Sequence, residues 1–407
     1  MGGRIMASTI NSSTSNGIVI TPDTSGEIEL QANGVTKAKV TANGLQDANG
    51  ASLRGGSFRN LIINGDMQIA QRDTSSTGNT GNGYTTVDRF LNWITGAGTW
   101  TMSQDSDVPT GQGFSNSFKM ACTTANASLG ANSRFAILQV IEGQNLQNLK
   151  WGTANAESIT LSFWIKSNKT GTYTLGLNQS TSVPATWHIA KTFTIDSADT
   201  WEKKTLTISG NTSTDIRNSN VWGLRVIIYC AGGSSFTSGT LATSWEAQVS
   251  ANAISSSNVN IADSTSNYIN ITGVQLEVGS GASDFEFLPY DVQLTRCQRY
   301  YIQYNQDKQT YSHISIGGLA ASTTQCRHAP TFPVTMRTVP SVAHSSLMVQ
   351  DGQTITAVTS VSVVGSQTSR ESGYILCNVA SGLTQYRPYQ LQVNNDVNGY
   401  LAYSAEL

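Results

Sequence analysis

The chain has 407 residues, with 24 basic and 26 acidic side chains and a formal net charge of −2. Charged residues make up only 12%, about half the usual share of ~25%, whereas Ser, Thr and Asn number 49, 48 and 31. This balance argues against a strongly basic nucleic-acid binder. No apolar run approaches the ~18 residues of a helical membrane span, and 38% hydrophobic content with eight tryptophans argues against full disorder.

In chain order, three parts are expected. Residues 1–57 start with Met1-Gly2-Gly3-Arg4-Ile5-Met6, which lacks the apolar stretch of a secretory signal. Short alternating runs follow at Gly17 to Ile20, Glu27 to Leu30 and Thr36 to Val40, separated by Pro22-Asp23, Ser25-Gly26, Asn33-Gly34 and Asn43-Gly44. Asn-Gly between apolar alternations is a hairpin signal. Strands this short bury too little surface in one chain to offset their ordering entropy. Completion by further copies, or by a docking partner, is therefore expected. Further copies would bury Ile18, Ile20, Ile28, Leu30, Val35 and Val40 together.

Residues 58–290 hold all eight tryptophans. Ile159, Leu161, Phe163 and Ile165 alternate with Thr160, Ser162, Trp164 and Lys166, the period of a half-buried strand. Leu224, Val226 and Ile228 repeat the pattern, and Gly273 interrupts the run from Ile269 to Val278 as a bulge does. Only Phe135 to Trp151 reads as a helix, weakened by Gly143. Many strands joined by polar turns predict a large jelly-roll-like β-sandwich. Residues 291–407 carry strand-like runs at Tyr311 to Ile316, Thr331 to Met336, Thr354 to Val364, Tyr374 to Val379, Tyr389 to Val393 and from Tyr400 onward. They predict a smaller C-terminal β-sandwich, so the whole chain reads as all-β. Five cysteines without a Cys-x-x-Cys pair are expected as free thiols.

Residues 60–68, Asn-Leu-Ile-Ile-Asn-Gly-Asp-Met-Gln, resemble the opening strand of jelly-roll carbohydrate-binding modules. Tyr268 to Val278 stands where that group has its closing strand. The resemblance implies that the two ends pair in one sheet, and it implies a structural calcium near Asn64, Asp66 and Gln68. Gln68 replaces the group's Glu, and Thr272-Gly273 replace its paired Asp.

A second resemblance covers more of the chain. Residues 60–66, Thr86-Val87-Asp88-Arg89-Phe90, Val274 to Gly279, Phe285-Glu286-Phe287, Cys297 to Tyr301, Phe332 to Pro340 and the final Ser404-Ala405-Glu406-Leu407 together resemble bacteriophage tail-fibre and receptor-binding proteins. It implies a homotrimeric virion fibre or spike, made in the host cytoplasm and acting outside the cell. Its residues 1–57 would anchor to phage tail or capsid, and its β domains would bind host surface polysaccharide. Sugar recognition uses aromatic faces and short polar groups, and the candidates are Trp164, Trp187, His188, Tyr304, Tyr311, His313, Tyr386 and Tyr389. Neither nucleic acid nor membrane insertion is expected.

Two other readings stay open: a structural fibre or decoration protein of capsid or tail with little receptor binding, and a polysaccharide depolymerase. The last usually needs an elongated β-helix, and no 20–30-residue repeat occurs. No Gly-x-Ser-x-Gly, His-Glu-x-x-His or Walker pattern occurs either, so no catalytic residue is expected.

Overall fold

The computed structural model describes residues 28–32, 34–41, 44–47, 58–183 and 185–407. The expected Gly17 to Ile20 run, the anchoring role of the first residues and most of the Asn-Gly turns lie outside them.

Ile28–Ala32, Val35–Thr41 and Gly44–Asp47 form a three-stranded antiparallel sheet. Cross-strand partners share a face. Ile28, Val40 and Leu45 are aligned by register, and Leu30 faces Ala38. One face is therefore largely apolar, yet Leu30 and Leu45 remain 49% and 44% exposed. The other face carries the Glu29–Lys39 ion pair at 3.2 Å.

Two six-stranded sheets follow. The front sheet has the order Glu246–Ala247, Thr186–Ile195, Gly171–Ser180, Trp222–Gly232, Arg134–Glu142, Leu91–Thr95. The back sheet has the order Glu202–Ile208, Ile159–Ser167, Tyr268–Val278, Ser117–Thr124, Thr99–Asp105, Ser75–Asn79. Strands far apart in sequence lie side by side, as in a jelly roll. Between the sheets the inward phases pack Trp100, Phe118, Phe135, Ile137, Leu161, Phe163, Leu175 and Ile228. The expected bulge is present, with the register slipping between Thr272 and Gln275.

The two bracketing ends meet, since Leu61 N–H bonds Leu276 O at 2.9 Å and Val274 N–H bonds Gly65 O at 2.9 Å. The opening piece is a chain of bends rather than a strand, because Asn64 and Met67 take the left-handed backbone region. The helix expected over Phe135 to Trp151 is instead the Arg134–Glu142 strand followed by a 3-10 turn at Gly143–Leu149.

An α-helix, Tyr290–Gln298, leads into the C-terminal part. Tyr301–Tyr304, Tyr400–Ser404 and Ser341–Ser345 form a three-stranded sheet. Beside it a closed barrel runs His313–Ala320, Gln325–His328, Ile375–Val379, Ile355–Val363, Leu347–Gln350, Pro388–Val393. The expected C-terminal sandwich is thus a six-stranded barrel. Closure leaves no sheet edge unpaired, and the interior is small enough to be filled by Ala320, Cys326, Val349, Ile375, Cys377 and Leu391. Thr331 to Met336 contributes a single bridge, Thr331 to Ser372, rather than a strand.

A buried charged seam joins the sandwich to the C-terminal part. Arg89, 1% exposed, pairs with Glu406 and donates to Val140 O at 2.6 Å. Arg72 reaches the same carboxylate at 3.1 Å and Asp88 at 3.5 Å. Glu142 accepts two bonds from Arg299, at 2.7 and 2.8 Å, and one from the Tyr300 hydroxyl at 2.6 Å. All five cysteines are buried free thiols. Among the described residues no helix is long and apolar enough to cross a membrane.

Candidate functional site

The structure scatters the sequence-predicted residues over three regions. Trp164 lies on the outward phase of its strand, half-buried, with its ring against the backbone of Gly273 and beside Phe114. Trp187, also half-buried, pairs in register with Gln179 and Ala247 at one edge of the front sheet. Tyr311, His313 and Tyr386 stand exposed on the barrel, Tyr386 at 74%.

Three candidates are corrected. His188 is buried, with Nε2 3.1 Å from Glu246 Oε1 and 3.3 Å from the Val249 amide, so it ties a covering loop to the sheet. Tyr389, 2% exposed, is barrel core, and its hydroxyl accepts the Thr384 amide at 3.0 Å. Tyr304 donates to Thr331 O at 3.1 Å and packs edge-on against Tyr403, where burial pushes its hydroxyl up to about 12.

The expected calcium set does not assemble. Asn64 is consumed by the loop, since its amide donates to Ile69 O and Asp88 O and accepts from the Ile69 amide. Asp66 has both carboxylate oxygens buried without a hydrogen-bond partner, and burial raises it to about 6. Calcium takes several oxygen ligands, usually more than one carboxylate. Among the described residues no group of three His, Cys, Asp or Glu side chains is gathered for a metal.

A different site emerges on the outward face of the front sheet. Register aligns Leu91 with Leu138, Trp93 with Ala136, and Val140 with Arg225. The slip between Trp222 and Leu224 brings Trp222 opposite Glu142 and so onto the same face as Arg225, three residues later. Part of this face is covered: Phe236, Ala253 and Ile254 pack on Ala136, Ile227 and Tyr229. What stays open is a cleft of about 200 Å³ lined by Asn82, Leu91, Trp93, Leu138, Val140, Arg225 and Leu407. Arg225 lies over the Trp222 ring, 4.2 Å from its centroid, and Arg134 over the Trp93 ring at 3.4 Å. Apolar rings with polar side chains at their rim can hold a ligand having one hydrophobic face and a hydrogen-bonding edge.

Sequence reasoning missed these residues. The available signal was Ile227, an apolar residue on the supposedly polar phase of its strand, which marks a face covered on its outer side as well.

No family model matches the chain, and no curated protein matches it. Three solved structures are similar in part. The enzymatically active domain of tailspike protein 4 from bacteriophage CBA120 is 13% identical with a TM-score of 0.30, over 55% of this chain and 22% of that one. The C-terminal family 22 carbohydrate-binding module of Clostridium thermocellum Xyn10B is 9% identical with a TM-score of 0.27, over 49% of this chain and 90% of that one. The CBM22-2 xylan-binding domain of Paenibacillus barcinonensis Xyn10C is 14% identical with a TM-score of 0.25, over 54% and 99%. None of the three scores reaches the level of a shared fold.

Proposed function

We propose that this protein is a homotrimeric phage fibre or spike component that binds a host surface glycan without cleaving it. Its N-terminal segment holds it to tail or capsid, and it acts outside the cell that made it. The observation that carries the glycan reading is the front-sheet cleft, where Trp93 and Leu91 offer apolar surface beside the Arg225 guanidinium and the Asn82 amide. Pyranose rings have C–H faces that match aromatic surface and hydroxyl edges that match such donors. The trimer reading draws on the apolar face of the 28–47 sheet. Full burial of an aliphatic side chain stabilises by about 1.5–3 kcal/mol, and Leu30, Val40 and Leu45 are all exposed in the single chain.

The binding test is adsorption of the purified protein to host cells and to extracted surface polysaccharide. Trp93→Ala is expected to lose at least tenfold in affinity while still folding, with a melting temperature lowered by the loss of its packing on Ala136 and Leu138. Unaltered binding by that variant removes the cleft from the mechanism. Light scattering should return a mass near three chains, and a monomer at micromolar concentration defeats the trimer. Incubation with the same polysaccharide should release no new reducing ends.

A further inference from the structure

The cleft carries an unusual charge arrangement. Elsewhere in the fold, arginines drawn out of water have protein acceptors: Arg89 and Arg72 meet Glu406, Arg299 meets Glu142, and Arg296 and Arg337 reach backbone carbonyls. Arg134 and Arg225 do not. Neither has a carboxylate within ion-pair distance among the described residues. The groups that act on them electrostatically are Tyr229 for both, Tyr84 for Arg225, and Arg225 itself for Arg134. Burial works against both charges and holds both guanidiniums below their ordinary pKa, with Arg225 adding repulsion at Arg134.

Their orientation matters too. Each guanidinium lies over a tryptophan, so its flat face is taken by the ring, while in-plane N–H groups remain available to a planar bidentate acceptor. Along the Arg134–Glu142 strand, Val140 marks the level of Arg225. Six residues at ~3.4 Å each set the two arginine positions about 20 Å apart.

Resting on the reading of this face as a saccharide site, we propose that its ligand is an acidic polysaccharide, one carboxylate of which pairs with Arg225 while a neighbouring sugar ring packs on Leu91 and the part of Trp93 that lines the cleft. The ligand then supplies the negative charge that the chain does not place beside Arg225, and a neutral glycan of the same shape leaves that guanidinium unmatched. The protein's net charge of −2 does not oppose this, because the field at the cleft is set by its local cation.

The test uses the whole protein and a panel of carboxylated oligosaccharides (oligogalacturonate, oligoalginate, hyaluronan and oligosialate). Each is paired with its carboxyl-reduced neutral derivative, and polyglutamate serves as a polyanion that is not a sugar. At least one carboxylated member should bind, with its reduced partner at least tenfold weaker and affinity falling as salt rises from 0.05 to 0.5 M. Arg225→Gln should abolish the preference, and Arg225→Lys should restore part of it, since charge returns without the planar fork. Melting followed by tryptophan emission checks that each variant is folded. Equal binding of acidic and reduced members, equal binding of polyglutamate, a preference that survives Arg225→Gln, or no binding by any carboxylated member each overturns the proposal. Neutral members that bind and are lost with Trp93→Ala would leave the cleft standing and remove only the acidic preference. Host polysaccharide bound equally by wild type, Trp93→Ala and Arg225→Gln would remove the cleft itself.

Discussion

Replacing Glu406 by Gln tests what holds the sandwich and the C-terminal part together. Its carboxylate meets Arg89, which is almost wholly buried, and Arg72 at 3.1 Å. Burial opposes the Arg89 charge, but Glu406 outweighs it, so the guanidinium pKa stands above its ordinary value. Removing one partner of a buried pair costs about 3–5 kcal/mol, because the other charge is left desolvated. Gln keeps the shape and one acceptor oxygen, and Arg72 retains Asp88 at 3.5 Å. The low end, about 3 kcal/mol, is therefore expected. Urea unfolding read by tryptophan emission reports on the sandwich, where all eight tryptophans lie, while far-UV circular dichroism reports on both parts. Combining the change with Arg89→Met should cost less than the two single losses added, with a coupling of about 2 kcal/mol. A loss under about 1 kcal/mol together with additive behaviour would refute the account of a desolvated pair.

Three further outcomes are expected. Asp66, raised by burial to about 6 from an ordinary value near 3.8, binds its proton more tightly folded than unfolded. Its contribution is full below pH 4 and is lost as pH rises to about 6, so Asp66→Asn should stabilise at pH 7 by up to about 3 kcal/mol and flatten the melting profile between pH 4 and 6. A lower melting temperature for this variant, matched by EDTA on the wild type, would instead mean a bound cation. Gly318→Ala places a methyl 2.1–2.5 Å from the His328 ring, so it should cost at least about 1–3 kcal/mol by overpacking and be partly rescued by His328→Ala; thermal melts of the three variants decide it. Tyr389→Ala should cost about 3–5 kcal/mol as a core deletion, whereas Tyr386→Ala should stay within about 0.5 kcal/mol; urea midpoints that fail to separate the two would contradict the burial assignment.

The strands that alternate cleanly were legible in the sequence. Ile159 to Ile165 puts one phase in the core and Trp164 on the other, and Gly273 marks its bulge. The Arg134–Glu142 strand was not legible, because Phe135 to Glu142 are all buried. The outer phase of that strand lies under Phe236 and Ile254, so no polar residues alternate and the run imitates a helix. Barrel closure depends on the pairing of His313–Ala320 with Pro388–Val393, across about seventy residues, and no local pattern carries it. The cleft was hidden for a related reason. Arg225 and Trp222 share a face only through a register slip, and an arginine without a carboxylate neighbour looks like any other arginine until the chain is folded. Tyr386 and Tyr389 have the same local chemistry, but Tyr386 sits in a left-handed turn ahead of the Pro388–Val393 strand and points outward, whereas Tyr389 lies on the strand's inward phase.

The five buried cysteines bear on how this protein ages. The thiolate is the form that attacks oxidants and disulfides, and burial suppresses it at every site: Cys326 is pushed up to about 11, and Cys122, Cys230, Cys297 and Cys377 are raised as well. Chains folded among reducing thiols and then left for weeks in aerated water should therefore accumulate neither sulfenic acids nor intermolecular cross-links. The durability of the sulphur chemistry is a property of the packed fold, and it ends where the fold opens.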